Sequence, residues 1–299
     1  MAVRLGVAPI AWSNDDLPEL GGDTPLDVCL KESREAGYSG TESGGKFPMD
    51  PDVLGPILAA HDIKLVSGWF SGRLLEVSVE EEKRRLENQL HTFATLGAPV
   101  LVYAEVTRSV QGGRTTPVSR RPKLAPGEVA DYGRKLTEIA EYLGGRGVPM
   151  AYHPHMGTVF ETEADVDLLM ANTGPAVGLL IDTGHMVFAG GDPHATVRRH
   201  AKRINHIHCK DVRPQVLERV LREDMSFMDA VLAGVFTVPG DGAIDFHGFA
   251  KVLAEIGYVG WVVVEAEQDP AKANPLVYAK IGHRHLTQAF AVARVEIVQ

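Results

Sequence analysis

Eight short β-type runs alternate with helical sequence along this chain, and few architectures accept that rhythm. The runs are Val3–Ala8, Tyr38–Glu42, Ile63–Phe70, Val100–Glu105, Val148–His153, Val177–Asp182, Ile204–Cys209 and Trp261–Glu265. Helical patterns fall between them at Pro25–Ala36, Pro51–His61, Ser78–Leu96, Glu128–Leu143, Glu163–Asn172, His194–Lys202, Gln215–Leu232 and Phe246–Ile256, and Pro275–Val292 closes the chain. Local chemistry supports the boundaries. Gly37 stands where a helix C-terminus favours glycine, and Glu80–Glu82 place negative charge in a first helical turn, where the helix dipole favours it. Parallel strands joined by crossover helices follow from such alternation. Eight units in 299 residues predict a (β/α)8 TIM barrel, with 1–299 as one domain. An open, doubly wound sheet is the competing fold, but no Gly-rich phosphate fingerprint follows the first run.

Bulk properties narrow the function. An apolar share of 44% and a charged share of 23% are ordinary for a globular protein. A formal net charge of −9 without a Lys/Arg run argues against a nucleic acid partner. Cys29 and Cys209 fall in a helical and a strand segment, so a reducing, cytoplasmic setting is expected rather than a disulfide framework. No stretch is apolar enough to span a bilayer, and the N-terminus shows no signal-peptide pattern. The Arg108–Pro126 segment, with Gly112-Gly113, is long for a connection and is expected to wall or cover a site.

Four of the later runs end in metal-ligand or acid–base side chains. They read Met150-Ala151-Tyr152-His153-Pro154-His155, Leu179-Leu180-Ile181-Asp182-Thr183-Gly184-His185, Ile204-Asn205-His206-Ile207-His208-Cys209-Lys210 and Val262-Val263-Val264-Glu265-Ala266-Glu267. A barrel gathers strand C-termini on one face, so these groups meet although they are distant in sequence. Nitrogen and carboxylate donors without a thiolate set suit Mn, Co, Fe or Zn. Two-residue spacing puts His153 with His155, and His206 with His208, on common faces while the chain stays extended. A backbone-bonded core histidine is the bland alternative, and it suits His206. Glu265 emerges from three valines, where an unpaired carboxylate would be costly. Lys210, at the end of its strand, is suited to an oxyanion, although lysines are usually solvated. Glu42 is a weaker candidate for a substrate hydroxyl, with Lys46 nearby. Trp12, Trp69 and Phe70 are candidate walls that are as readily core. There is no Ser-His-Asp elbow, P-loop or Cys-Xaa-Xaa-Cys motif.

These blocks, together with Phe236-Thr237-Val238-Pro239-Gly240-Asp241-Gly242 and Glu265-Ala266-Glu267-Gln268-Asp269-Pro270-Ala271-Lys272-Ala273-Asn274-Pro275, resemble the xylose-isomerase-like sugar isomerase/epimerase superfamily. More narrowly, they resemble its myo-inosose-2 dehydratase family. The resemblance implies a metal set of His153, Asp182, His208 and Glu265. His153 stands where superfamily relatives carry a Glu, so His155 or water competes for the fourth position. It implies Mn or Co as cofactor, with glutathione named for the family but no glutathione site legible in the residues. The implied partner is a small polyol ketone, with no nucleic acid or membrane, and homo-oligomerisation stays open.

The implied reaction removes water from 2-keto-myo-inositol to give a trihydroxycyclohexane-1,2-dione. Lewis-acid activation of the ketone, a base for the α-proton and an acid for the departing hydroxyl are then required. Glu265 or a non-ligand histidine is the candidate base. His155, His185 and Lys210 are candidates for the acid and oxyanion roles. Glu42, Lys46, Trp69, Arg213 and Glu267 are candidates for substrate contact. A ketose isomerase or epimerase is the main alternative. A nuclease-like or non-catalytic barrel is the second, and the acidic balance and single metal set argue against the nuclease.

Overall fold

The computed structural model describes residues 2–299. Its strands are β1 (Ala2–Val7), β2 (Gly40–Ser43), β3 (Lys64–Gly72), β4 (Leu101–Glu105), β5 (Met150–Tyr152), β6 (Val177–Asp182), β7 (Ile204–Cys209), β8 (Asp211–Val212), β9 (Phe236–Thr237), β10 (Gly260–Val264) and β11 (Glu296–Ile297). Strands β1 to β7 and β10 run parallel, each beside the next, and β10 pairs with β1 from Val3↔Gly260 to Val7↔Val264. That last pairing closes the barrel the alternation predicts. β11 takes the free edge of β1 at Ala2 and Val3, below the point where β2 begins at Gly6↔Gly40. β8 and β9 form a separate antiparallel pair.

The largest apolar cluster lies between the barrel and the helices, with Leu86, Phe93, Leu136, Ile139, Leu169 and Phe249 among its buried members. Inside the barrel, Trp261 and Val263 pack with Val66 and Ala8. Gly40 is required there: a Cβ at that position would stand 2.6 Å from the Trp261 ring. Trp261 thus fills the barrel floor, opposite the C-terminal mouth.

Helix signals act where the sequence placed them. Ser78 Oγ accepts from Glu81 N at 3.2 Å at the start of Val79–Leu96, and Gly97 ends that helix at φ 72°. The predicted helix Gln215–Leu232 is two, Pro214–Arg222 and Phe227–Leu232. Asp224 takes a left-handed conformation at φ 48°, which Asp tolerates better than most residues, and Ser226 Oγ caps the second helix at Asp229 N. A short helix at Thr183–Phe188, capped by Asp182, was not foreseen. Cys29 and Cys209 are buried and unpaired. No helix among the described residues is long and apolar enough to cross a membrane.

Candidate active site and metal centre

The ends of β5, β6, β7 and β10 deliver His153, Asp182, His208 and Glu265, each offering a ligand atom within 4.8 Å of the others. Register explains the meeting, because Asp182 lies opposite His208 across β6–β7 and His208 lies opposite Val263, two residues before Glu265. His208 Nδ1 is 2.6 Å from Glu265 Oε2 and 3.6 Å from Asp182 Oδ2, and His153 Nε2 is 3.8 Å from the same Asp182 oxygen. Asp182 Oδ2, His208 Nδ1 and Glu265 Oε2 are all buried, and although the last two lie close together, none makes a hydrogen bond of good geometry. Buried polar atoms left unsatisfied in this way are costly in a protein interior unless something binds them. Three that converge on one point fit a divalent cation, and the mixed nitrogen and oxygen set suits a borderline metal.

The tautomers agree. His153 Nδ1 donates to Pro154 O at 2.8 Å, which leaves Nε2 unprotonated and facing the cluster. His208 Nε2 lies 2.9 Å from Glu42 Oε1, which leaves Nδ1 for the cluster. Metal-binding histidines characteristically commit their other nitrogen in this way. Asp182 divides its oxygens similarly, with Oδ1 accepting from His185 N at 2.9 Å.

A second group sits beside the first. Lys210 is fully buried, its Nζ 2.7 Å from Glu267 Oε2, 3.0 Å from His185 Nε2 and 3.4 Å from Glu265 Oε1. Burial alone would discharge it, but Asp182, Glu265 and Glu267 hold its pKa above the usual lysine value. Burial pushes Glu267 up to about 7, with Lys210 pulling the other way. Against the same push, Lys210 and His208 hold Glu265 well below the usual carboxylate range. His155 is lowered to about 3 by burial and by Lys210. His185 is lowered by burial and by His155, so both rings are neutral.

The cavity above these groups measures about 260 Å³ and is lined by His153, His155, His208, Glu265, Glu267, Glu42 and Trp69, with Asp15, Asp16, Ser71 and Gln111 at its rim. The structure therefore brings most of the sequence candidates together. His155 stands outside the four-donor cluster, its ring 3.9 Å from that of His185. Trp69 packs edge-on against both His153 and His155.

Two candidates fall elsewhere. Lys46 Nζ is taken by the carbonyls of Gly22 and Thr24. Arg213 is spent on Gly234 O, Phe236 O, Thr237 Oγ1 and Asp241. Both cations satisfy main-chain acceptors in neighbouring loops, so neither faces the cavity. Trp12 is also structural, its indole N–H donating to Glu32 at 2.7 Å, and Phe70 stacks on Tyr103. The Arg108–Pro126 segment reaches the cavity through Gln111, while Val118 N bonds Met225 O and Arg121 holds Thr158 O and Val159 O. It is a fixed wall. Asp15, Asp16, Ser71 and Gln111 were missed, although their place after β1, at the end of β3 and after β4 is where barrel sites are built. Asn14 Oδ1 accepts from the N–H groups of Asp16 and Leu17, and Asp15 Oδ2 from Gly45 N, which fixes this rim.

Comparison with known proteins follows the same lines. Residues 30–289 match the family described as xylose isomerase-like TIM barrel. The chain is 52% identical over 293 residues to the rhizopine catabolism protein MocC of Rhizobium meliloti, covering 98% of this chain and 90% of that one. It is 40% identical over 292 residues to the inosose dehydratase of Clostridium tetani, covering 97% and 98%. A xylose isomerase domain protein from Alicyclobacillus acidocaldarius superposes with a TM-score of 0.69 at 19% identity, covering 98% of this chain and all of that one, which speaks to the fold alone.

Proposed function

This chain belongs to the xylose isomerase-like TIM barrel family and to its inosose dehydratase relatives, and from that premise we propose that it removes water from 2-keto-myo-inositol to give 3D-3,5/4-trihydroxycyclohexane-1,2-dione in inositol catabolism. It is a hydro-lyase acting on a small polyol ketone. The observation that carries the reading is one cavity in which converging, orphaned metal-type donors lie beside a buried lysine with its proton-bearing partners.

Asp182, His208, Glu265 and His153 would hold the metal, with Mn or Co as the proposed ion. Bound there, it supplies Lewis acidity toward the ketone. The chain's own groups do the rest. His155 has its Nδ1 proton committed to Met156 O at 2.9 Å, so Nε2 is the basic nitrogen available for the α-proton. As that proton leaves, its bonding electrons pass toward the ketone. Loss of the β-hydroxyl together with a proton from the Lys210–Glu267–His185 group completes water, and the enol tautomerises to the dione. Lys210, held as a cation, offsets negative charge developing on the ring oxygens. Trp69 and Gln111 flank the ring, and Asp15 and Asp16 accept from its hydroxyls at the rim. Glutathione has no part in this reading.

The test is to incubate the Mn- or Co-loaded protein with 2-keto-myo-inositol and follow the dione chromophore before and after chelation. No dione from the loaded protein refutes the reading. The higher identity to MocC supports a second reading, that the same elimination serves rhizopine catabolism. Deleting the gene and comparing growth on rhizopine with growth on myo-inositol separates the two.

A further inference from the structure

The carboxylate of Glu42 lines the cavity, and its hydrogen bonds run to other side chains of the barrel. Its Oε1 is 2.9 Å from His208 Nε2 and 3.0 Å from His206 Nε2, and Ser67 Oγ donates to the same oxygen. Glu42 belongs to β2 and the two histidines to β7, so this contact crosses the barrel interior. Local backbone irregularity makes it possible. The β2–β3 register slips between Thr41 and Glu42, so that Glu42 faces Ser67 instead of Val66. β7 slips likewise against β6, where Leu179 pairs with Ile204 but Leu180 with His206. Bulges of this kind re-aim side chains near functional sites.

We infer that Glu42 is a positioning residue for the metal centre: it fixes the His208 ring and its Nε2–H tautomer, so that Nδ1 is presented to the point where Asp182 Oδ2 and Glu265 Oε2 converge. The inference rests on the metal-site reading above. Without an acceptor at Nε2, a half-turn of the ring or a shift of its proton would cost little. With a carboxylate there, a proton shift sets an unprotonated nitrogen against an anion and a half-turn replaces the N–H donor with a ring C–H, and either loses the hydrogen bond in a buried site, where such mismatches are expensive. His153 is fixed by the Pro154 carbonyl, a main-chain group. Glu42 is therefore the side chain that holds His208 from outside the donor set.

The experiment measures the Mn dissociation constant of wild type, Glu42→Gln and Ser67→Ala, with KM and kcat for the ketone alongside. Glu42→Gln is expected to weaken Mn binding by ~10–100-fold, the usual cost of losing an outer carboxylate. Ser67→Ala removes a donor to the same oxygen without touching His208 and is expected to keep the wild-type constant. Cobalt-loaded Glu42→Gln is expected to show an altered visible absorption spectrum. An unchanged Mn constant with a raised KM would make Glu42 a substrate contact and overturn the inference. If the variant does not fold, nitrogen-15 spectra of zinc-loaded wild type decide it, since a proton on His208 Nδ1 overturns the assignment and one on Nε2 upholds it. Wild-type protein that binds neither Mn nor Co would overturn the metal reading and this inference together. Normal wild-type binding with an unaffected Glu42→Gln overturns this inference alone.

Discussion

Single side chains in this site carry two duties, and substitution can separate them. Asp182 uses Oδ1 to cap the helix Thr183–Phe188 and leaves Oδ2 to the cluster. Asp182→Asn keeps an oxygen for the cap and loses the charge. Metal content by elemental analysis is expected to fall more steeply than the ~10–100-fold affinity loss of an outer-support change, while the thermal midpoint of metal-free protein stays close to wild type. Metal content at the wild-type level would remove Asp182 from the ligand set. Lys210 has the opposite balance. It is fully buried against Glu267, Glu265 and Asp182, so Lys210→Met leaves carboxylates unpaired in the interior. A loss of ~3–5 kcal/mol is expected in urea unfolding, and adding Glu267→Gln should restore part of it. The sequence showed these residues because each stands at or just beyond the end of an apolar run. It could not choose between His153 and His155, because side-chain alternation lapses once the strand ends at Tyr152. Nor could it show that Lys46 and Arg213 are consumed by main-chain carbonyls, which only the folded loops bring near them.

At the scale of elements, the alternation of strand and helix was legible because hydrophobic pattern and caps agree in nearly every unit. The split of the 214–232 region was not, since it turns on one left-handed Asp and one Ser cap inside a helical pattern. β4 carries a hidden cost that pH can expose. Its last residue, Glu105, is buried and faces the helix layer, with Oε1 accepting from Thr107 N at 3.0 Å and Oε2 without a partner. Burial pushes its pKa up to about 7. The folded protein thus holds this proton more tightly than the unfolded chain does. Stability is fully present below the ordinary carboxylate value and falls as pH rises from there to about 7, levelling off above. Glu105→Gln is expected to remove that decline and to be more stable than wild type at pH values above the window, by up to ~3 kcal/mol. Urea midpoints across the window test this, and parallel pH curves for the two proteins would refute it.

For the whole molecule, closure of the barrel turns a list of distant residues into one reaction vessel. Trp261 fills its floor, and the metal-type donors and the Lys210–Glu267–His185 group share the mouth. An epimerase built on the same barrel would also loosen the α-proton, so proton exchange with solvent does not identify the reaction. Expulsion of the β-hydroxyl does, and that step depends on a proton donor distinct from the base. Deuterium exchange into 2-keto-myo-inositol and dione formation are therefore best measured on the same samples of wild type, His155→Asn, His185→Asn and Glu267→Gln. Removing the base should slow both processes together. Removing the donor should slow dione formation by ~10²–10⁴-fold, the usual worth of one general acid, and spare exchange. The mechanism proposed above expects the first outcome for His155 and the second for Glu267 or His185, whose contacts meet at Lys210 Nζ. Equal loss of exchange and elimination in all three variants would show that the donor lies elsewhere. A stereoinverted ketose as sole product would make this barrel an epimerase.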